Sequence, residues 1–510
     1  MKTFHKYLFI VIFISSLCGC AKLDEEPVGI LSPTGFFKTP RDVQTAVFGG
    51  YGMLTSELLF GRQFYFMLMY RGDMVDIGDR GTVIDRIQLN DFNMDANNSM
   101  VRVSWSAWYQ LISAVNTAEA GAKQVTAPEN VLNPLIAEAR FLRGFAYYHL
   151  VQCFGDIPYI TEPITNPQES KNLTKTSATN IWAGIIEDLT FAKQWLPDQQ
   201  PSSTRTRATK GAAAAFLASS YMALGDYAKA YSEAKFVIDN RAAFGYRLEP
   251  DYQDLFRGEL GGKLQEVIFD VDFLANLFVN SGANAGLNLN DDLLAPMMNP
   301  RNIGNLGGFA AGVPHQRVWD TWNPLDYRKR VSMADTVVVN GVRFGFGQFG
   351  DPKRPHAFKW GRFPATSNVQ GRYSSHNYPM MRYAEILLIA AEALAETNGV
   401  TQEAIDYVNQ VRTRARNWPG NPTGFPQNVT TGISKTEFID LVLEERRIEL
   451  CFEGKRWYDI KRRRLGDIVF KGPNSLEPRP NFSANRDYLF PLPQADINVN
   501  PNLLPNNPGY

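Results

Sequence analysis

Two segments far apart in the chain share one pattern, a long helix, a short turn and a second helix, over Thr209 to Asp239 and again over Arg382 to Ala415. In the first, Tyr221 closes one helix, Gly225-Asp226-Tyr227 makes the turn and Ala230 opens the next interface. In the second, Gly399 and Ala404 keep the same five-residue separation, with Asn398-Gly399 in the turn. Glycine supplies the backbone freedom a tight interhelical turn needs, and alanine at the crossing lets the helix axes approach closely. Both pairs look like tetratricopeptide repeats. One such hairpin cannot bury its own apolar face, so several must stack. That requirement predicts a mostly α protein on a helical-repeat scaffold.

Other helices are available for the stack. Val43, Val47, Tyr51, Leu54 and Leu58 recur at spacings of three and four, as do Ile181, Ile185, Leu189, Ala192 and Leu196, the mark of an amphipathic helix. The stretch from Ala137 to Phe154 is apolar on more than one side, with Phe141, Leu142, Phe145, Ala146, Tyr147 and Leu150, so it belongs between other helices. Helices at 129–154 and 177–196 are the expected neighbours of the first hairpin, and the array is interrupted rather than tandem.

The interruptions are long. Residues 245–380 are Gly-, Asn- and Pro-rich and carry Phe309, Trp319, Trp322, Tyr327, Phe346, Phe349, Trp360 and Tyr373. Glu266 to Phe273 and Thr336 to Phe344 read as short strands among them. A second irregular segment, about 60–98, joins the first helix to one carrying Trp105 and Trp108. Loops of this length on a helical scaffold are more often functional than accidental, and the two segments together could build one face.

The N-terminus gives an address. Lys2 and Lys6 precede an apolar run from Tyr7 to Leu17, shorter than the ~20 residues that cross a bilayer's hydrocarbon core. Leu17-Cys18-Gly19-Cys20 follows and resembles a lipobox, so residues 1–19 read as a lipoprotein signal peptide and Cys20 as the lipidated first mature residue. The next residues, Ala21-Lys22-Leu23-Asp24-Glu25-Glu26, are acidic, which disfavours electrostatic docking on anionic lipid. Lys plus Arg equal Asp plus Glu at 52 each, so no global field attracts nucleic acid. Cys153 and Cys451 remain after processing, both in helix-like apolar contexts, and read as buried free thiols.

Motifs for chemistry are sparse. Gly345-Phe346-Gly347-Gln348-Phe349-Gly350 matches G-x-G-x-x-G, but Asp351-Pro352 and Pro355 stand where a phosphate-binding helix should start, so a glycine-rich hairpin or loop is expected. No H-E-x-x-H, P-loop, G-x-S-x-G or C-x-x-C occurs, and His149, His315, His356 and His376 lack helix-spaced partners. No cofactor is expected. Asp73, Asp76 and Asp79 provide oxygens suited to a structural Ca2+ or, alternatively, a polar loop accepting sugar hydroxyls. Ser434-Lys435-Thr436-Glu437 is a capping box. Glu445, Arg446, Arg447, Glu449, Glu453, Arg456 and Asp459 offer opposite charges at helical spacings and read as a salt-bridged helix face.

Several runs then carry a resemblance along nearly the whole mature chain. Ala137-Glu138-Ala139-Arg140-Phe141-Leu142-Arg143 with Phe154-Gly155-Asp156-Ile157-Pro158, and Tyr383-Ala384-Glu385-Ile386-Leu387-Leu388, resemble the SusD/RagB family of surface nutrient-binding lipoproteins. So do Glu445-Arg446-Arg447-Ile448-Glu449-Leu450, Phe452-Glu453-Gly454-Lys455-Arg456-Trp457-Tyr458-Asp459 and the ending Asn507-Pro508-Gly509-Tyr510, although Asn506 stands where glutamine is common. The resemblance implies one SusD-like domain over residues 20–510, a tetratricopeptide-like α-α superhelix whose loops hold the ligand. It further implies a SusC-like TonB-dependent transporter as partner, a lipid anchor in the outer membrane facing the exterior, and an oligosaccharide, or a peptide, as cargo. An envelope glycoside hydrolase and a protein-binding adaptor are the competing classes.

A sugar's apolar face stacks on an aromatic ring while its hydroxyls bond to Asp, Asn or Arg. On that basis Trp319 and Trp322 are the expected anchors, with Asp73, Asp79 and Phe92 from the earlier loop and Arg372 and Tyr373 from the later one as partners.

Overall fold

Residues 33–260, 264–273, 279–280, 288–289, 292–304, 306–361, 376–420 and 422–510 are described in the computed structural model. Helix α1 (Pro40–Leu54) starts with proline at its first position and a capping box between Thr39 and Asp42, and buries Val43, Val47 and Leu54. Every residue of α2 (Gln63–Tyr70) after Gln63 is buried. In α3 (Ser99–Ala122) the Asn98 side chain accepts a hydrogen bond from the Val101 N–H, satisfying one of the donors a helix start leaves orphaned. From Ala137 to Phe154, α4 (Glu129–Phe154) is buried at every position but Arg140, as its apolar composition predicts, and it packs between α3 and α5 (Ala178–Trp195).

The expected hairpins follow: α6 (Lys210–Leu224) with α7 (Tyr227–Asp239), and, past the long loop region, α10 (Tyr383–Asn398) with α11 (Gln402–Arg416). Gly225 ends α6 in the left-handed conformation at φ 73°, which a β-carbon would disfavour. The stack runs in order: α5 packs on α6, α6 on α7, α7 on α10, and α10 on both α11 and α12 (Lys435–Glu449). Two hairpins separated by the whole irregular region are therefore direct neighbours. The capping box at Ser434 and Glu437 forms as predicted.

Between them lie α8 (Gln316–Thr321) and α9 (Tyr327–Ser332), and α13 (Arg456–Arg462) follows α12. Strands are short and paired antiparallel: β1 (Asp76–Ile77) with β3 (Gly312–Val313), β2 (Val267–Val271) with β6 (Tyr378–Arg382), and β4 (Thr336–Val339) with β5 (Val342–Gly345). The run from Thr336 is thus a hairpin, not one strand. Asn340 and Gly341, both at positive φ, make its two-residue turn.

The charged run on α12 departs from expectation. Glu445, Arg446, Arg447 and Glu449 are buried; Arg447 pairs with Glu444 within the helix as the spacing predicts, whereas Glu445, Arg446 and Glu449 find their partners on other elements. Glu449 meets Arg382 at the end of β6, Arg414 of α11 and Arg328 of α9, while Glu453 meets Arg382 and Lys359. Helical spacing marked these residues as able to pair along one helix, but the stack places them at its centre, where a buried charge must find partners across elements. Burial opposes ionisation of Glu449, yet Arg414, Arg382 and Arg328 outweigh it and hold its pKa below the ordinary value. Cys153 and Cys451 are free and buried.

Candidate ligand-binding site

The two irregular segments meet. Asp76 pairs with Val313 and Ile77 with Gly312, and the Gly78 N–H donates to the Ala311 carbonyl at 3.0 Å. A β-carbon on Gly78 would stand 1.8 Å from the Ala310 carbonyl oxygen, so this approach requires glycine. Ala310 itself holds φ 46°, a conformation non-glycine residues seldom adopt. Strain of that kind persists only where the surroundings over-determine it.

Ion pairs bind further parts of the 245–380 region to the earlier segment. Arg301 donates to Asp79 at 2.8 Å and to the Asp351 carbonyl at 2.6 Å, and Arg354 reaches Asp76 at 2.8 Å. Arg80 spans Asp91 and Asp76. The Gly81 N–H and then Arg301 hold the Asp79 carboxyl below its ordinary pKa. A small apolar cluster of Ile303, Ala334, Val337, Phe349 and Phe358 packs within the loop region and stiffens it. From this frame Phe309 and Phe346 stand 48% and 41% exposed. Solvent-facing aromatic rings offer the stacking area a sugar ring needs, and fixed Arg and Asp groups in the same loop region offer directional hydrogen-bonding partners.

The expected site residues distribute unevenly. Asp79 lies on this face. Trp319 of α8 is half-buried, with the Lys329 ammonium 4.2 Å from its ring centre. Trp322 is 2% exposed, and its carbonyl accepts from the same ammonium at 2.9 Å. Asp73 is interior, locked to Arg456 by two bonds of 2.8 and 2.9 Å. Phe92 has no exposed surface; it packs on Phe470 and Phe482 with the Arg71 guanidinium 4.1 Å above its ring. Trp322, Asp73 and Phe92 are therefore core residues of the loop region in this conformation, because aromatic and paired groups in a large loop fold inward as readily as outward. Arg372 and Tyr373 lie outside the described residues.

Asp73, Asp76 and Asp79 turn to different arginines, and among the described residues no group of three His, Cys, Asp or Glu side chains is placed to hold a metal ion. The G-x-G-x-x-G run ends β5 and enters a single helical turn over Phe346–Gln348, a glycine-rich loop as expected. Sequence reasoning passed over Phe309 and Phe346 in favour of the tryptophans. Their signal was local: Gly307-Gly308-Phe309 and Gly345-Phe346-Gly347 both flank an aromatic ring with glycine. Arg301 and Arg354 carried no such mark.

Residues 348–510 match the family described as the SusD family, and residues 73–222 match one described as "Starch-binding associating with outer membrane". SusD-like protein P2 of Formosa agariphila is 44% identical over 99% of this chain and 99% of its own length. A SusD homolog from Bacteroides thetaiotaomicron superposes with a TM-score of 0.80 at 22% identity, over 94% of this chain and 98% of the homolog. Surface glycan-binding protein A of the same species, solved in complex with laminarihexaose, gives a TM-score of 0.76 at 19% identity, over 92% of this chain and all of that one. With a relative so similar along essentially its whole length, and with the helical stack and loop face described above, this chain belongs to the SusD family.

Proposed function

We propose that the protein is a lipid-anchored surface protein that binds nutrient oligosaccharide on its loop face and passes it to a SusC-like TonB-dependent outer-membrane transporter, which it covers as a lid. One observation carries the binding half of this reading. Two exposed rings, Phe309 and Phe346, are set on loops braced by the β1–β3 pairing and by the Asp76, Asp79, Arg301 and Arg354 bridges. Family membership and the laminarihexaose complex of a structural neighbour support a glycan as cargo. The description of one matched family supports association with the outer membrane, and Cys20 would supply the anchor. No helix among the described residues is long and apolar enough to cross a membrane.

Trp319 and Asp79 stay in the proposed site, together with Arg372 and Tyr373 from the later loop. The role is binding without catalysis. Peptide cargo is the second reading, since the same aromatic and arginine groups would suit peptide side chains.

The test is to titrate soluble protein beginning at Ala21 with glycan and peptide panels, following tryptophan fluorescence and heat. Phe309→Ala and Phe346→Ala should each weaken glycan binding about 2- to 12-fold, the worth of ~0.5–1.5 kcal/mol for an aromatic stack. Unchanged affinity in both would remove the loop face as the site. Appearance of new reducing ends would instead show a hydrolase, and absence of a β-barrel protein in pull-downs from solubilised envelopes would count against delivery.

A further inference from the structure

A concavity lies on the helical side, built from α3, α4, α5 and the extended segment 157–162, none of which contributes to the loop face. Its volume is about 570 Å³, inside the range of about 300–1,000 Å³ typical of small-molecule sites. The extended segment is held by pairing of Ile157 with Thr176, and its side chains alternate: Tyr159 and Thr161 line this cleft, whereas Pro158 and Ile160 line a different one.

The floor is a chain of planar polar groups that fix one another. Arg140 donates twice to Glu119, Arg143 donates to Glu119 at 2.7 Å, and Arg143 also binds Asp188 through two bonds of 2.8 and 2.7 Å. At the rim Lys123 pairs with Glu162 at 3.0 Å, and Asn180 and Glu187 are exposed. Four carboxylates face three cations, nearly in balance. The Tyr159 ring forms a wall against α5, where a β-carbon on Gly184 would fall 2.1 Å from its hydroxyl. Mid-helix glycine costs about 1 kcal/mol relative to alanine, and here it makes room for that ring.

From this geometry we infer that the cleft is a second binding site, separate from the loop face, for a neutral, hydroxyl-rich ligand such as a short segment of uncharged glycan. An anion would meet Glu119, Glu187 and Asp188, and a cation would meet Arg140 and Arg143. A neutral polyol can instead bond to both kinds of group while resting on the Tyr159 ring.

Peptide-resolved hydrogen exchange on protein beginning at Ala21 tests this, using laminarihexaose, maltohexaose and cellohexaose as neutral probes and a hexauronate as the charged one. At least one neutral probe should slow exchange in 157–162 and 178–188, and the hexauronate should not. Ala183→Trp, a substitution at an exposed cleft position of α5, should weaken that protection at least tenfold. Tyr159→Ala should do the same, with its melting curve checking the fold. Lack of protection by all three neutral probes, protection that survives Ala183→Trp, or equal protection by the hexauronate would each overturn the proposal. Exchange in 76–82 and 307–317 reports the loop face separately, so failure there leaves the cleft result standing.

Discussion

Asp73 and Asp270 show how a buried carboxylate is settled by its neighbours. Burial would raise the pKa of Asp73, but Arg456, held by two hydrogen bonds, lowers it below the ordinary value. Arg456→Met would strand that charge, so stability should fall by about 3–5 kcal/mol in denaturant unfolding, and Asp73→Asn added to it should recover part of the loss. Asp270 goes the other way. Burial pushes its pKa up to about 6, against the opposing pull of Arg205 and with a push from Asp272. A carboxyl whose folded pKa is raised stabilises fully below its unfolded value near 3.8, and that contribution is lost as pH rises through 6. Relative to the parent, Asp270→Asn should therefore gain stability between pH 4 and 7, by up to about 3 kcal/mol for two units. A difference that stays constant across that range would refute the assignment. None of this was visible in sequence, where Asp73 looked like a loop ligand: an aspartate does not announce which arginine, hundreds of residues away, will face it.

At the scale of elements the helices were legible and the loops were not. Periodic apolar spacing, the turn glycines and the capping box each reported a local interaction that survives in the fold, so the hairpins fall where expected. The β1–β3 pairing joins two strands of two residues each from distant parts of the chain, too short to leave any periodicity. Yet that pairing is what brings the loop segments together. Gly78→Ala should break it, because the new methyl would collide with the Ala310 carbonyl. The expected result is faster hydrogen exchange at 76–78 and 311–313 and loss of glycan binding, with the helical stack still protected. Retained binding would mean that the loops hold their arrangement by the ion pairs alone.

For the whole molecule, the central charge network is where the elements commit to one another. Arg382 reaches Glu449 and Glu453, joining the end of β6 to α12 and the turn that follows it. Arg382→Met should cost at least about 3–5 kcal/mol, and unfolding should be lowered for probes in both halves of the stack together. Separate transitions for the two hairpins would show instead that the network is local. The fold class was readable because stacking is a demand every hairpin makes on its neighbours; the network was readable only as composition, since its geometry exists only once the helices have met.

The contact of α7 with α10 has an evolutionary consequence. The long excursion between them departs from the stack and returns to an adjacent place, where β2 and β6 run antiparallel and the Tyr383 N–H closes onto the Glu266 carbonyl. A segment joined in this way behaves as a cassette. Its interior can be rewritten, or traded with that of another member, so long as the two joints still fit and an Arg328 and a Lys359 still reach Glu445, Glu449 and Glu453, while the chassis goes on folding as before. Variety in the loop face on one unchanging frame then needs no new architecture, only new text between two fixed brackets.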